Sequence, residues 1–584
     1  MDKSESIVPV TQASIAQQGV TITLIEKLLA EKKTAREFQE RKHIDWNENY
    51  ELYRNRVRTN RLTQRQAVNI PLMKETIKTL LSKIDDSPNV DWKEKSGDEI
   101  KELVYQEIWN QNFKTKKFEW VDILDKKNVL LYGVSTKKLN LGDNCVTVDV
   151  LDPYDVLFDP MMSPIDIETA RFIIHRNIFR PLRDILADSR YTEEGKDALR
   201  IWVTTDRGVV QTSQNAEALK KKQDRLIAMG VNSAFFANFA GGDVMVNLTE
   251  HYTHSWNAEK KEFERRVVVY AEDSMALLDD KLEDLIGMTE WPFTLWSEDI
   301  ETNDVYPDGI ADLVRTPNKV VNVWYSQYIE NRSLANMGMH WYDATVQGYQ
   351  PQTYEPGQGR MLPAPGDPNK TIMPVQFESL QGTLEAIEFL TAIVERSSGA
   401  TAIEKGTPEA GVQTLGEVEI LVGKAGERAI SMNKFYRASW FETATKWDKM
   451  MQANTFDAFN LYKTGRSGKV YSKKVYDKEW KSEAGYEPDV SSTSEQEQSQ
   501  LKNLQKYQYV ISQFPNNTVL RRIMQSRELE MLDLTPQELK EVEEEEKKLA
   551  ETAMMGMGTG GAPTAPAVPT GMPAPPPVAA PAMV

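Results

Sequence analysis

Apolar residues recur at helical spacing on both sides of a break near the middle of the chain. Before the break, Val320, Trp324 and Tyr328 follow one another at four-residue intervals, and Thr316–Pro317 is typical of a helix start. From Gly348 to Pro374, repeated prolines and glycines exclude a long helix. Beyond the break the helical spacing resumes at Phe377, Leu380, Leu384, Ile387 and Val394. This pattern predicts two helices that flank a compact projection.

The residues before this region predict a mixture of helices and antiparallel strands. Helices are expected at about 22–56, 70–84, 99–131, 180–200 and 213–230. Strands are expected at about 146–150, 171–179, 244–252 and 265–270. The two histidines His251 and His254 would lie on opposite faces of one strand, so a zinc pair is not expected there.

After the second helix the chain alternates between loops and long helices. Gly399 to Gly411 predicts a loop, and a helix of about ten turns follows from Thr414. A hairpin is expected at 456–482, turning at Gly465–Gly468. Further helices are expected at 500–513, 516–532 and 536–552. The Ala/Pro-rich residues after Met554 have no apolar period and predict a disordered tail.

The charge, the cysteine count and the distribution of apolar residues exclude several kinds of protein. The chain of 584 residues carries a net charge of −17, which excludes coating of nucleic acid by bulk positive charge but permits DNA to slide past. A single cysteine, Cys145, excludes an intrachain disulfide and fits a reducing compartment. The polar segment Met1–Gln18 predicts no signal peptide, and no apolar run long enough for a membrane span is present.

No motif in the sequence indicates catalysis. Gly465–Val470 is too short for a phosphate-binding loop, and the metalloprotease and hydrolase motifs are missing. Aspartates are clustered from Asp152 to Asp159, but Asp152 and Asp159 each precede a proline and the spacing fits no calcium loop, so turn residues explain them better than metal ligands. We therefore predict no enzyme activity, no cofactor and no bound metal.

The order of these features resembles the portal proteins of tailed double-stranded DNA bacteriophages. The resemblance rests on Pro307-Asp308-Gly309 leading into Val320-Val321-Asn322, the break that ends at Pro374, the terminator Ser397–Ala400, and the glycine-containing loop before the helix from Thr414. Upstream, Val148 to Pro160 and Arg171 to Ile173 look like the region that precedes the stem in that family. The similarity covers roughly residues 20–550.

The resemblance implies an α+β, elongated, multi-module portal fold. Its parts would be an N-terminal arm (1–19), a mixed α/β wing (20–306), stem helix 1 (307–337), a small clip (338–376), stem helix 2 (377–398), a tunnel loop (399–413), a long wing helix with a hairpin (414–485), a helical crown (486–552) and a disordered tail (553–584). Subunits of this family form a ring, usually of twelve, at one capsid vertex.

The resemblance also implies partners and site residues. Double-stranded DNA would pass through the ring without sequence-specific contact, and the terminase large subunit, capsid and scaffold proteins, and neck or tail adaptor proteins would bind it, with no membrane partner. The tunnel loop would face DNA with Gly399, Glu404, Lys405, Gly406, Glu409 and Gly411. The clip would dock the motor and neck proteins with Tyr354, Arg360, Asp367 and Lys370. The stem would pack through Val320, Trp324, Tyr328, Leu380, Leu384 and Ile387.

Several interpretations remain open from the sequence. Lys405 is the best candidate for a phosphate contact, but it is about as well explained as an ordinary exposed lysine. Another head–tail adaptor or tail subunit is an alternative to the portal, although it would not need a wing of this length. A nucleic-acid enzyme is a third reading, which would require a metal site. The portal implies location in the virion, and in the host cytoplasm during assembly.

Overall fold

The chain folds into helices and antiparallel sheets, a mixed composition that agrees with the expected α+β class. The structure is a computed structural model that describes residues 24–55, 68–84, 88–142, 144–205, 245–257, 261–337, 340–342, 372–374, 381–400, 415–464 and 470–491. The chain divides into two units, Met1–Ser494 and Glu495–Val584, and every described residue lies in the first.

Eleven α-helices lie within the described residues. They are α1 (Leu24–Tyr53), α2 (Leu72–Leu81), α3 (Glu99–Thr115), α4 (Phe118–Tyr132), α5 (Leu182–Ala187), α6 (Glu193–Thr205), α7 (Leu282–Ile286), α8 (Ile310–Met337), α9 (Gln381–Ser398), α10 (Leu415–Ala453) and α11 (Asp477–Trp480). The strands are β1 (Asn89–Glu94), β2 (Val134–Leu141), β3 (Val146–Leu151), β4 (Val156–Phe158), β5 (Phe172–Pro181), β6 (Met245–Asn257), β7 (Glu262–Ala271), β8 (Met275–Lys281), β9 (Phe293–Ser297), β10 (His340–Tyr342), β11 (Ile372–Pro374), β12 (Phe459–Thr464), β13 (Val470–Val475) and β14 (Tyr486–Ser491).

All the strand pairs in the described part of the chain are antiparallel. A five-stranded sheet has the order β4-β5-β6-β7-β8, and a three-stranded sheet has the order β3-β2-β9. The predicted hairpin near 456–482 is confirmed as β12–β13, with Thr464 opposite Val470. Strand β1 pairs with β14, from Asn89 opposite Ser491 to Glu94 opposite Tyr486. This last pair brings two distant parts of the sequence together and was not predicted.

The directions of alternating side chains on β6 and β2 show how the helices and sheets are layered. On β6, Glu250 faces the three-stranded sheet and pairs with Lys138, while the next residue, His251, faces α1 and lies 2.9 Å from a carboxylate oxygen of Glu31. On β2, Lys137 points away from Lys138, toward α4 and α10. The five-stranded sheet therefore lies between α1 and the three-stranded sheet, whose other face packs against α4 and α10.

Helix α10 is held to the three-stranded sheet by buried polar contacts. The Lys137 ammonium donates to Ser439 Oγ at 2.6 Å, and the hydroxyls of Thr443 and Thr294 lie 2.9 Å apart. The Lys446 ammonium, 3% exposed, donates to the carbonyl of Phe293 at 2.7 Å. Two large side chains on the same face, Trp440 and Trp447, are completely buried. The contacts are both polar and apolar, so they fix the rotation of the helix as well as its position.

Lys446 also links α10 to the loop before β5 through an ion pair. Its ammonium lies 2.8 Å from the carboxylate of Glu168, which pairs on its other side with Arg265. Burial alone would raise the pKa of Glu168, but the two cations outweigh it and lower the pKa below its usual range. Glu168 is therefore ionised, and its charge depends on these two partners.

One predicted helix boundary is wrong. Thr316–Pro317 does not start a helix, because α8 begins at Ile310 and contains Pro317. The backbone N–H of Gly309 donates to Asp312 Oδ2 at 2.9 Å, and the N–H of Asp312 donates to the Gly309 carbonyl at 3.0 Å. This reciprocal pair fixes the start of the helix seven residues before the proline. Pro317 removes one hydrogen bond from the helix interior without ending it.

The predicted helix at 180–200 is two helices. Between α5 and α6, Asp188 accepts hydrogen bonds from the backbone and guanidinium of Arg190, and the N–H of Thr192 donates to the Leu277 carbonyl of β8. These contacts replace helical hydrogen bonds and turn the chain. The stretch 99–131 is also divided, because Lys117 adopts a positive φ of 59° between α3 and α4.

Other predictions hold within the described residues. The two histidines lie on opposite faces, since His251 faces α1 while the His254 ring stacks on Trp291 at 5.2 Å. Asp152 caps a short 3₁₀ turn, and Asp159 pairs with Arg171 through two hydrogen bonds, which agrees with structural roles. The helix at 213–230, the turn at 465–468 and the predictions for 1–19 and 492–584 lie outside the described residues.

The turn between β7 and β8 holds a carboxyl in an unusual environment. Glu272 and Asp273 both have positive φ, 51° and 56°, in the three-residue loop between the paired residues Ala271 and Met275. Glu272 Oε1 accepts from the N–H of Asn247 at 3.0 Å, while Oε2 is buried with no hydrogen-bond partner in the described part of the chain. Burial is the main cause that raises the pKa of Glu272 to about 7.

Replacing Lys446 tests the buried bridge. Lys446→Gln should lower the free energy of unfolding by about 2–3 kcal/mol, because it leaves Glu168 and the Phe293 carbonyl short of a donor. The matched control is Lys449→Gln, three residues along α10, whose lysine pairs with Glu290 but is 45% exposed. That change should cost less than about 1 kcal/mol. Urea unfolding followed by tryptophan fluorescence measures both, and equal losses would contradict the special role of Lys446.

The Glu272 carboxyl should make stability depend on pH. Its folded pKa of about 7 lies above the ordinary value of 4.5, so its contribution is complete below pH 4.5 and is lost as pH rises through 7. Between pH 5 and 8, the free energy of unfolding of the wild type should fall by on the order of 2 kcal/mol more than that of Glu272→Gln. Unfolding at several pH values measures this difference. Glu283→Gln, at an exposed position of α7, is the control, and identical slopes for all three proteins would refute the assignment.

Candidate functional site

The predicted stem helices pack together and meet the rest of the chain at one place, which we call the stem base. It comprises the start of α8, the end of α9 and the residues that contact them. Helices α8 and α9 are neighbours, with Val320, Trp324, Tyr328 and Leu384 partly buried and Ile387 buried. The other predicted site residues except Gly399 lie outside the described residues: Leu380, Tyr354, Arg360, Asp367, Lys370, Glu404, Lys405, Gly406, Glu409 and Gly411.

A short strand pair joins the two sides of the predicted projection. After α8, His340–Tyr342 forms β10, and before α9, Ile372–Pro374 forms β11. The two strands are antiparallel, with His340 opposite Pro374 and Tyr342 opposite Ile372. The chain after α8 and the chain before α9 therefore lie side by side, as expected for a compact projection between two helices.

Two glycines bring the start of α8 against the end of α4. Gly133, with φ of 79°, ends α4, and a Cβ at this position would lie 2.2 Å from the carbonyl oxygen of Pro307. A Cβ on Gly309 would lie 2.7 Å from the backbone nitrogen of Gly133. Distances this short leave no room for a side chain, so the two backbones are in direct contact. The stem base is thus fixed to the helix that supports the three-stranded sheet.

Two polar residues of α8 are buried and bind the backbone of the segment before α2. Asn322 Oδ1 accepts from the backbone N–H of Ile70 at 2.7 Å, and Ser326 Oγ accepts from the N–H of Val68 at 3.1 Å. These bonds satisfy backbone donors in the segment that leads into α2. The residues predicted to pack the stem, Val320, Trp324 and Tyr328, are partly buried on the same helix.

Ion pairs connect α8 to α1 on another side. The Arg315 guanidinium lies 2.9 Å from Asp45 and 2.8 Å from Asp312, and the Lys319 ammonium pairs with Glu48. Arg315 is 19% exposed, so water screens its pairs less than it screens those at the surface. Together with the glycine contact, these pairs hold the first turns of α8 on two sides.

The end of α9 is held by a lysine that the sequence did not indicate. Gly399, with φ of 77°, ends the helix and donates its N–H to the Glu395 carbonyl at 2.9 Å. The ammonium of Lys83, just after α2, donates to the carbonyl of Gly399. A cation at a helix C-terminus is stabilised by the helix dipole as well as by the hydrogen bond. Since Ala400 is completely buried, the chain is fixed where the predicted tunnel loop begins.

The contacts at the stem base are structural. They consist of backbone packing, hydrogen bonds and ion pairs. In the described part of the chain, no three His, Cys, Asp or Glu side chains come together to hold a metal ion. Within the same residues, no helix is long and apolar enough to cross a membrane.

Two signals in the sequence could have indicated more of this site. Gly133 directly follows the apolar run Val129–Tyr132 and is a plausible helix end, and Gly309 to Asp312 is a plausible helix start. Nothing local predicts that these two glycines meet, or that Lys83 reaches the Gly399 carbonyl 316 residues away. Each contact depends on how distant elements pack.

No curated protein matches the chain. A family model described as the phage SU10 portal protein matches residues 43–559, a range that includes α8, α9, α10 and most of the predicted wing. Because this match covers well over half of the chain's 584 residues, the chain belongs to the phage SU10 portal protein family.

Proposed function

We propose that this chain is one subunit of a closed portal ring at a single capsid vertex. The ring would contain twelve copies, would serve as the channel through which the terminase motor packages DNA, and would retain and later release the genome. Membership of a phage portal family supports a structural role as a component of the virion capsid. Scaffold, capsid, and neck or tail adaptor proteins are the further partners of this proposal.

The common support of the stem and the tunnel loop carries the proposal. The start of α8, the end of α9 and the C-terminal half of α10 are each fixed to the same layered domain, through Gly133, Lys83 and Lys446 respectively. Residues 307–337 and 377–398 would be the stem, and 399–413 the loop that faces DNA. A channel wall on which moving DNA exerts force needs this kind of rigid base.

The remaining parts take roles around that base. Residues 20–306 and 414–485 would form the wing, 338–376 the clip that docks the motor and neck proteins, and 486–552 the crown. The net charge of −17 favours weak contact between the channel and DNA, because an acidic wall repels the phosphates. The motor would supply the chemical energy, and the ring would act as the passage.

Ring formation is the direct test. Purified full-length protein should form closed rings with a central channel, and native mass spectrometry should show one dominant species near twelve times the mass of the chain. A heterologous interface that closes produces such a single species. Class averages from electron microscopy check the channel. Only monomers and dimers at micromolar concentration would refute the proposal.

A second test concerns the start of the tunnel loop. Lys83→Met keeps most of the side-chain length but removes the ammonium that holds the Gly399 carbonyl. We expect ring assembly to be unchanged and DNA packaging or retention to fall several-fold, because the loop loses its fixed starting point. Lys78→Met, at an exposed position of α2, removes the same charge without this contact and should behave as wild type. Packaging assays with purified motor and proheads measure both, and normal packaging by Lys83→Met would reject the role of this contact.

A further inference from the structure

Helix α1 covers one face of the five-stranded sheet, and its two halves are held by different kinds of contact. The second half belongs to the main hydrophobic core, through the buried side chains of Trp46 and Leu52. In the first half, Leu28 packs with Val268 and Tyr270 in a small cluster that is separate from the main core. Burial of apolar surface therefore holds the first half of the helix less firmly than the second.

Two consecutive side chains of α1 make polar contacts between its first half and the sheet. The Lys32 ammonium lies 2.5 Å from a carboxylate oxygen of Asp273 and 3.3 Å from Thr249 Oγ1. The preceding residue, Glu31, lies 2.9 Å from His251 Nε2. The side chain of Lys32 is 14% exposed and that of His251 is completely buried. Buried polar contacts of this kind fix the position of the helix but contribute little net stability.

The same interface holds two buried polar atoms that have no hydrogen-bond partner in the described residues. They are Nδ1 of His251 and Oε2 of Glu272, which directly precedes Asp273. An unsatisfied buried polar atom costs free energy, and the cost is recovered when water reaches the atom. Opening of the interface would therefore relieve part of the cost of forming it.

Gln39 marks the point where the firmly held part of α1 begins. Its buried amide donates to the carbonyls of Pro153 and Val156 at 2.8 and 2.6 Å. Its Oε1 accepts from the Arg176 guanidinium at 3.1 Å, and the neighbouring Phe38 packs against the main core. Opening of the first half would stop before these residues, because they are bound to other elements.

We propose that residues 24–35, which we call the α1 strap, open from the five-stranded sheet as a unit while the rest of α1 stays bound. Lys32 fastens the strap, because its ammonium contacts both β6 and the turn after β7. The closed strap keeps water from His251 and Glu272, and the open strap exposes them. This conformational device belongs to the single subunit and does not depend on the proposed ring.

Opening of the strap is coupled to the ionisation of Glu272. In the closed state the pKa of Glu272 is about 7, mainly because of burial, with Asp273 raising it further and Lys32 lowering it. When water reaches the carboxyl, its pKa returns toward the ordinary value of 4.5. The contribution of Glu272 to closing is therefore complete below pH 4.5 and is lost as the pH rises through 7.

His251 acts in the opposite sense. Burial is the main cause that lowers its pKa, Lys32 and Lys27 lower it further, and Glu31 raises it without reversing the shift. The contribution of the neutral ring to closing is complete above pH 6.5 and is lost as the pH falls through the lowered pKa. Acid and alkali thus both favour opening, through different residues.

Hydrogen exchange followed by mass spectrometry measures the opening in the full-length protein. Backbone amides of residues 28–35, which have acceptors within the helix, should exchange about tenfold or more faster than those of residues 44–53. Lys32→Gln removes the charge and shortens the reach to Asp273, so it should speed exchange in the strap by about a further tenfold and leave residues 44–53 unchanged. Lys33→Gln, at the exposed neighbouring position, is the matched control and should exchange as the wild type. Equal protection along the whole of α1, or equal exchange in the two variants, would overturn the proposal.

The pH dependence of exchange gives a second, independent measurement. After correction for the intrinsic exchange rate, the opening constant of the wild type divided by that of Glu272→Gln should rise about tenfold between pH 5.5 and 8.5. The ratio removes the effect of His251, which both proteins share. A ratio that stays constant with pH would also overturn the proposal, because the strap would then not be what keeps water from Glu272.

Discussion

Buried ammonium groups that join α10 to the three-stranded sheet are the contacts on which the layered domain depends. Lys137 reaches both α4 and α10, and Lys446 connects α10 to β9 and to Glu168. A buried ammonium must be fully paired, so neither helix can rotate or slide without leaving a charge uncompensated. Trp440 and Trp447 bury apolar surface between α10 and its neighbours. The lysines fix the position of α10 along the sheet, because each must reach its own partners.

The same domain fixes the stem base by different means. Gly133 and Gly309 allow backbone contact at the start of α8, and Lys83 holds the carbonyl that ends α9. Backbone contact leaves no side chain that could change rotamer, and the lysine bond adds to the helix dipole. Helices α8, α9 and α10 thus share one support.

In the proposed ring, one subunit would contribute a small part of a channel wall, and the wall would exist only when every interface between subunits closes. In that ring, the net charge of −17 would limit adhesion of the channel to DNA.

The sequence by itself determined most of the helices, several strands, the β12–β13 hairpin and the order of parts that points to a portal. These depend on local spacing, where one period of apolar residues decides which element forms. It gave the wrong start for α8, because the capping pair of Gly309 and Asp312 outweighs the proline at position 317. Only the tertiary structure decided that β1 pairs with β14, that two glycines meet at the stem base and that Lys83 reaches Gly399. Those contacts join residues far apart in the chain, and no local pattern records which distant group will satisfy a buried donor or acceptor.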